Sequence, residues 1–197
     1  LLKRYKKIEG FFISSHEIQS EIFERNLEYN PGITETPKHP VNNVSRKDIS
    51  RFLDFLNTKA GKLLYRLPTP EEWEYAARAN KKSTYFFGDD SGLLTDYAWY
   101  SFNSQGKSWP VGKKLPNQWG LYDIYGNLFE RVAPFPANYY RGKGFRLLGL
   151  ASTSLVSGIC SGSFNSVTVY CQPITPDKNF SERQNEIGFR LIRVLDY

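Results

Sequence analysis

The chain has 197 residues, 40% of them hydrophobic and 16% aromatic, with a formal net charge of +6. That length suits one domain with a sizeable core, and no run approaches the ~18 apolar residues that a membrane helix needs. The basic residues come in scattered pairs (Lys3-Arg4, Lys6-Lys7, Lys81-Lys82, Lys113-Lys114) and not as one face interleaved with exposed aromatics, so nucleic-acid binding is not expected.

In chain order, EGFFI (9–13) reads as a short apolar strand. SSHEIQSEIFERNLEYNPG (14–32) reads as a helix with Ile18, Ile22, Phe23 and Leu27 along one face, stopped by Asn30-Pro31-Gly32. TETPKHPVNN (34–43) is Pro-rich and polar, hence loop. Ser45 is then placed to cap the amide of Asp48, and Ile49, Phe52, Leu53 and Leu56 form one apolar stripe. Gly61 can take the left-handed end conformation that closes this helix. A short strand, KLLYRL (62–67), leads to a third helix, TPEEWEYAARAN (69–80). Thr69 is its N-cap, Pro70 its first residue and Glu72 its capping-box acid, and Trp73, Ala76 and Ala77 form the buried face.

From residue 84 onward aromatics, glycines and turn residues dominate. Short strands are expected at 84–87, 109–112, 120–124, 128–132, 141–147, 166–171 and 186–194. Helices followed by a mainly β half imply an α+β chain, not alternating βαβ units. The two cysteines, Cys160 and Cys171, are too few for a disulfide framework; two buried thiols and one disulfide both fit. The chain opens on Leu1 and contains no Met. We therefore expect the C-terminal part of a longer protein, with the compartment open.

Several segments, in order, resemble the formylglycine-generating-enzyme family, also called the sulfatase-modifying-factor domain. HPVNNVS (39–45), YRLPTPEEWEYAARA (65–79) and YFFGDD (85–90) carry the resemblance in the first half. DYAWYSFNSQGKSWPVGKKLPNQWGLYDIYGNLFERV (96–132), RGKGF (141–145) and EIGFRLIRV (186–194) carry it in the second. The resemblance implies a single domain over 1–197 with a loop-rich, C-type-lectin-like fold, two to three helices packed on a twisted antiparallel sheet. It leaves function open, because the superfamily includes copper-dependent oxidases that convert a cysteine to formylglycine. It also includes sulfoxide synthases and non-catalytic binding domains, among them retroelement-diversified proteins and modules of bacterial serine/threonine kinases.

The oxidase needs two thiolates for copper(I), a soft ion. The family pattern RGGS-x-x-C-x-x-x-x-C, laid on this chain from Arg141, puts the serine on Gly144 and the cysteines on Leu147 and Ser152. Three functional positions are missing at once, and two histidines leave little for acid–base work near neutral pH. We expect no catalytic residues here, and a ligand- or protein-binding domain, the sensor or recruiting module of a kinase being one host. The alternatives are an oxidase with a relocated pair, Cys160 and Cys171, and a retroelement-diversified binder.

The family also binds calcium through the GLYD-x-x-GN-x-W-E segment. By resemblance the ligands here would be the carbonyls of Gly126 and Leu128 and the carboxylate of Glu130, with Asp96 at a second site; the alternative is that Glu130 pairs with Arg131 or Arg190. Phe129 and Arg131 stand where the family has tryptophans, and Lys143 where it has a small residue. The scaffold side is kept while the ligand side is rewritten or decayed. The expected contacts to a protein or peptide ligand are Trp109, Arg131, Lys143, Phe145, Arg146, Phe164 and Tyr170, with Phe164 and Tyr170 exposed.

Overall fold

The structure is a computed structural model that describes residues 5–8, 10–32, 36–136, 155–167 and 183–195. The predicted strand 141–147 and the expected contacts Lys143, Phe145, Arg146 and Tyr170 lie outside the described residues, as do Cys171 and the positions 147 and 152.

The fold is α+β. A four-stranded antiparallel sheet runs in the order β1 (Tyr5–Ile8), β2 (Phe11–Ser14), β9 (Ile192–Val194), β3 (Tyr65–Arg66). Its registers pair Ile13 with Ile192 and Arg66 with Ile192 from the other side, so the closing strand of the chain holds its opening to its middle. A second sheet places β6 (Phe129–Pro136) between β7 (Leu155–Cys160), antiparallel, and β8 (Ile187–Gly188), parallel. A two-residue parallel pair joins β4 (Ala98–Trp99) to β5 (Tyr125–Gly126). The expected antiparallel sheet is present in β1-β2-β9-β3, and the two parallel pairings belong to the smaller sheets beside it.

The helices follow local chemistry where local chemistry decides. α2 (Arg46–Ala60) carries a full capping box: Ser45 accepts from the Asp48 amide, and the Asp48 carboxylate takes the Ser45 amide at 2.7 Å. Gly61 closes it at φ 68°. α3 (Pro70–Arg78) repeats the device with Thr69 and Glu72, and Arg66 clamps the Glu72 carboxylate with two bonds of 2.6 and 2.7 Å. α1 is shorter than predicted, Ser20–Leu27, and its N-cap Gln19 makes no side-chain cap bond. Residues 14–18 are held extended by long-range bonds that the helical pattern could not anticipate. The Ser14 amide donates to the Leu191 carbonyl and the Ile18 amide to that of Phe189, both at 2.9 Å. A fourth, short helix, α4 (Leu94–Tyr97), lies where no element was predicted.

Two large clusters, and a small third of Phe129, Ile159 and Ile187, share the core of the described residues. α1 and α2 pack Phe23 and Phe52 face to face (5.2 Å) with Phe189 edge-on to both. Trp73, Ala76 and Ala77 of α3 pack against Phe11, Ile13, Leu121, Ile124 and Tyr125. The segment 84–87 is a tight turn and not a strand. Phe86 lies flat on Tyr125 at 5.1 Å, and its amide donates to the Tyr125 hydroxyl. The predicted strands at 109–112 and 120–124 are turns and irregular chain, while β7 was not foreseen.

Candidate functional site

Four ionisable side chains form a buried cluster in the core. Glu17, Asp123, Glu130 and Arg190 are each 1% exposed or less. Arg190 grips Glu130 with two bonds of 2.6 Å, Nε to one oxygen and a terminal nitrogen to the other. Trp73 donates its indole N–H to the same carboxylate at 2.6 Å. The guanidinium also reaches the carbonyls of Ser14 and Tyr122. One Arg against three carboxylates is an imbalance that protonation must relieve. Burial, then the neighbouring Asp123 and Glu130, pushes the Glu17 carboxyl well above its usual range. Burial likewise pushes Asp123 up to about 6. For Arg190 burial opposes the charge, but Glu130 outweighs it and raises the group. One Asp123 oxygen accepts the Gly112 amide at 2.7 Å; the other is buried with no partner.

This arrangement decides the place of Glu130. Both its oxygens are committed to Arg190 and Trp73, so the guanidinium supplies the positive charge a cation would bring, and Glu130 does not fit the calcium set that the resemblance implied. Asp96 is exposed on α4 and is not among the buried members of that cluster. Among the described residues no group of three His, Cys, Asp or Glu is arranged to hold a metal.

The turn after Ile124 links the cluster to the surface. Gly126 sits at φ 77°, and a Cβ there would stand 2.0 Å from the Trp99 carbonyl oxygen. Only glycine allows so close an approach. Asn127, at φ 56° and fully buried, is a node. Its amide donates to the Trp99 carbonyl, and its side chain takes the Trp109 amide at 2.9 Å and donates to the Trp109 carbonyl at 3.2 Å. Its own carbonyl receives the Phe164 amide, and its Nδ2 reaches Glu17 at 3.4 Å. Asn117 does similar service for the preceding loop, donating to the carbonyls of Ala76 and Ala77 at the end of α3. As a sequence, GLYDIYGN marked a tight turn; that Asn127 fastens three distant backbones was not visible in it.

What Asn127 fastens is an aromatic wall. Trp99 and Trp109 stack at 4.6 Å with planes 14° apart. The Trp109 indole donates to the Ser104 carbonyl at 2.7 Å, whereas the buried Trp99 indole N–H finds no acceptor among the described residues. Lys114 lies 4.0 Å over Trp99 and Lys107 5.0 Å over Trp109. With His39, Pro110 and Lys113 the pair lines an open pocket of about 370 Å3. Burial, then Lys107, holds the His39 imidazole below its usual value, so it is neutral near pH 7.

Of the expected ligand contacts, Trp109 lines this pocket. Phe164 does not fit the role: it is 3% exposed, and its backbone is tied to Asn127 and Ser104. Its burial, and not its chemistry, overturns the expectation of an exposed contact. Arg131 is 2% exposed on β6 opposite Ile159 of β7, so it too faces inward. Cys160, also on β7, is buried opposite Glu130. Gly126 and Leu128 lie within the turn just described. Lys107 and Lys113 belong to the pocket without any sequence signal beyond charge, and His39, the first residue of HPVNNVS, carried no sign of a place in it.

The sulfatase-modifying factor enzyme 1-like domain family matches residues 3–195. A formylglycine-generating enzyme of Mycobacterium tuberculosis is 28% identical over 183 residues, covering 81% of this chain and 59% of its own length. That of Thermomonospora curvata is 34% identical over 113 residues, 51% of this chain and 35% of its own. The chain thus spans less than two thirds of the length of these relatives. Among solved structures, Treponema denticola variable protein 1 superposes with a TM-score of 0.80 at 25% identity, covering 94% of this chain and 84% of its own. PvdO from Pseudomonas aeruginosa gives 0.74 at 25% identity, with 94% and 80% covered.

Proposed function

The chain belongs to the sulfatase-modifying factor enzyme 1-like family, and from that premise we propose that this domain binds a ligand and does not oxidise cysteine. The observation that carries the reading is the fate of the thiols. Leucine and serine occupy the positions, 147 and 152, where the family pattern has its copper-binding cysteines. Cys160 is 1% exposed in the core, hydrogen-bonded strand to strand beside Glu130. A catalytic thiolate has to meet both metal and substrate, and a thiol packed among apolar residues is held away from both. The same fold carries proteins named formylglycine-generating enzymes and one named a variable protein, so architecture alone does not decide activity.

The binding face is the loop 99–109 with the pocket at Trp109, presented on a rigid base. In this reading the domain serves a larger protein by recruiting a partner, and a bacterial serine/threonine kinase is one such host. The test is direct. The reduced chain, supplied with copper(I) and oxygen, is incubated with a cysteine-containing sulfatase-type peptide and followed by mass spectrometry. No aldehyde product is expected. Turnover that disappears in Cys160→Ser would overturn the proposal in favour of a relocated cysteine pair.

A further inference from the structure

The pocket beside Trp109 has features that folding does not demand. Its walls are ring faces and aliphatic stems, from His39, Trp99, Trp109 and Pro110, and its charged groups are Lys107 and Lys113. Among the described residues no acidic side chain lines it. Neither lysine forms a salt bridge among the described residues. The two indoles are too close to admit anything between them, so the lysines sit on their outer faces. The stack therefore reads Lys114, Trp99, Trp109, Lys107. The two ends differ. Lys114 is half-buried and bonded to the Thr95 carbonyl, which fixes it. Lys107 is exposed and rests on Trp109 alone, a weak tie at a solvated site. It is a cover that a better stacking partner can displace, and once displaced its ammonium remains at the rim.

The same loop offers a second foothold. Phe102 is 80% exposed, two residues from Ser104, whose carbonyl holds the Trp109 indole. The Ser101 amide donates to the Ser166 carbonyl, so the residues preceding the exposed Phe102 and Val167 are tied together, and the Phe102 ring leans on Tyr100 at 6.2 Å. An exposed aromatic on the same loop as an aromatic, cation-rimmed pocket suits an extended ligand better than a compact one.

We propose that this face docks an acidic peptide segment bearing an aromatic side chain: the ring lies on the outer face of Trp109, flanking carboxylates pair with Lys107 and Lys113, and the continuing chain crosses Phe102. The pairing follows from charge complementarity between two uncompensated lysines and an anionic partner, and from the preference of indole for a second ring. The inference rests on the reading of this domain as a binder and deepens it by naming the ligand class.

The probe is the acetylated, amidated pentapeptide Glu-Asp-Phe-Glu-Asp, titrated into the full chain while the tryptophan indole resonances are followed by NMR. Saturable binding that shifts the Trp109 indole signal is expected. Affinity should fall at least tenfold for the uncharged Gln-Asn-Phe-Gln-Asn peptide, for the ring-free Glu-Asp-Ala-Glu-Asp peptide, and for the Lys107→Glu/Lys113→Glu variant. Both lysines are exposed, so that variant keeps the fold. Phe102→Ser should weaken the peptide and leave phenylacetate unaffected. Equal binding of charged and uncharged peptides, or no saturable binding, would overturn the proposal. Phenylacetate binding as tightly as the peptide would also overturn it, by making a free aromatic acid the ligand. Formylglycine formation would defeat the non-catalytic reading without touching this titration, so the two failures are distinguishable.

Discussion

Glu130 and Arg190 show how one pair of residues fixes the fate of a whole segment. A buried ion pair is neutral to stability as a pair but costly to break, because the survivor is left charged in a dry interior. Arg190 is the only cation among the four buried members of this cluster. Arg190→Met should therefore cost roughly 3–5 kcal/mol in urea unfolding. Glu130→Gln should cost less, because Glu17 and Asp123 still face the guanidinium. An Arg190→Met loss within about 1 kcal/mol would mean that the cluster is not the anchor described here. The same residues set a pH dependence. Asp123 is raised to about 6, and Glu17 is raised as well, so the folded chain holds protons more tightly than the unfolded one. Their contribution is full below the unfolded carboxylate range; that of Asp123 is lost as pH rises through about 6, and that of Glu17 as pH rises through its own raised value. His39, held low, contributes the opposite slope on the way down from its ordinary value. The informative quantity is thus the difference between the chain and Asp123→Asn, which can still accept the Gly112 amide. Thermal scans from pH 4.5 to 7 should show the native chain losing more stability with rising pH than the variant; parallel curves would contradict the assignment.

At the scale of elements, what was legible in the sequence was what neighbours in sequence decide. Ser45 with Asp48 and Thr69 with Glu72 are three residues apart; the Thr69–Glu72 capping box and the Ser45 cap formed as read, and the Asp48 carboxylate adds the return bond that makes the second a box as well. α1 was read six residues too long at its start because Ser14 and Ile18 answer to Leu191 and Phe189 at the other end of the chain. Trp73 and Glu130 are separated by 57 positions, and Glu17 and Asn127 by 110, so no window along the chain contains either contact. Phe164 misled for a related reason: a lone aromatic in a polar stretch gives no sign of which way it faces, and Asn127 turns its backbone inward. Gly126 is the position where an element depends on a single missing atom. Gly126→Ala must place a methyl 2.0 Å from the Trp99 oxygen at a positive φ, so β4 and β5 have to part. The expected loss is at least ~2 kcal/mol, with a red shift of tryptophan emission as the Trp99–Trp109 stack opens. An unchanged emission maximum and unfolding midpoint would show that the turn is not the support of the aromatic wall.

For the whole molecule, the fold divides its labour unevenly. The capped helices, the closing strand and the GLYDIYGN turn are committed to one another through buried charge and aromatic packing. The loop 99–109 is held from below by Asn127 and left open above. Family membership was legible from motifs because those motifs are the scaffold's own contacts: Trp73, Asn117, Gly126, Asn127 and Arg190 all bond within it. The ligand face was not legible, because Lys107, Lys113 and His39 gather there only in three dimensions. No helix among the described residues is long and apolar enough to cross a membrane. The central claim is that this scaffold binds and does not oxidise, and a copper(I) titration of the reduced chain against a competing chelator tests it most directly. The account predicts no tight site, with the native chain and the Cys160→Ser and Cys171→Ser variants superimposable. Tight one-to-one binding abolished by either substitution would contradict it and make the chain an oxidase with a relocated cysteine pair.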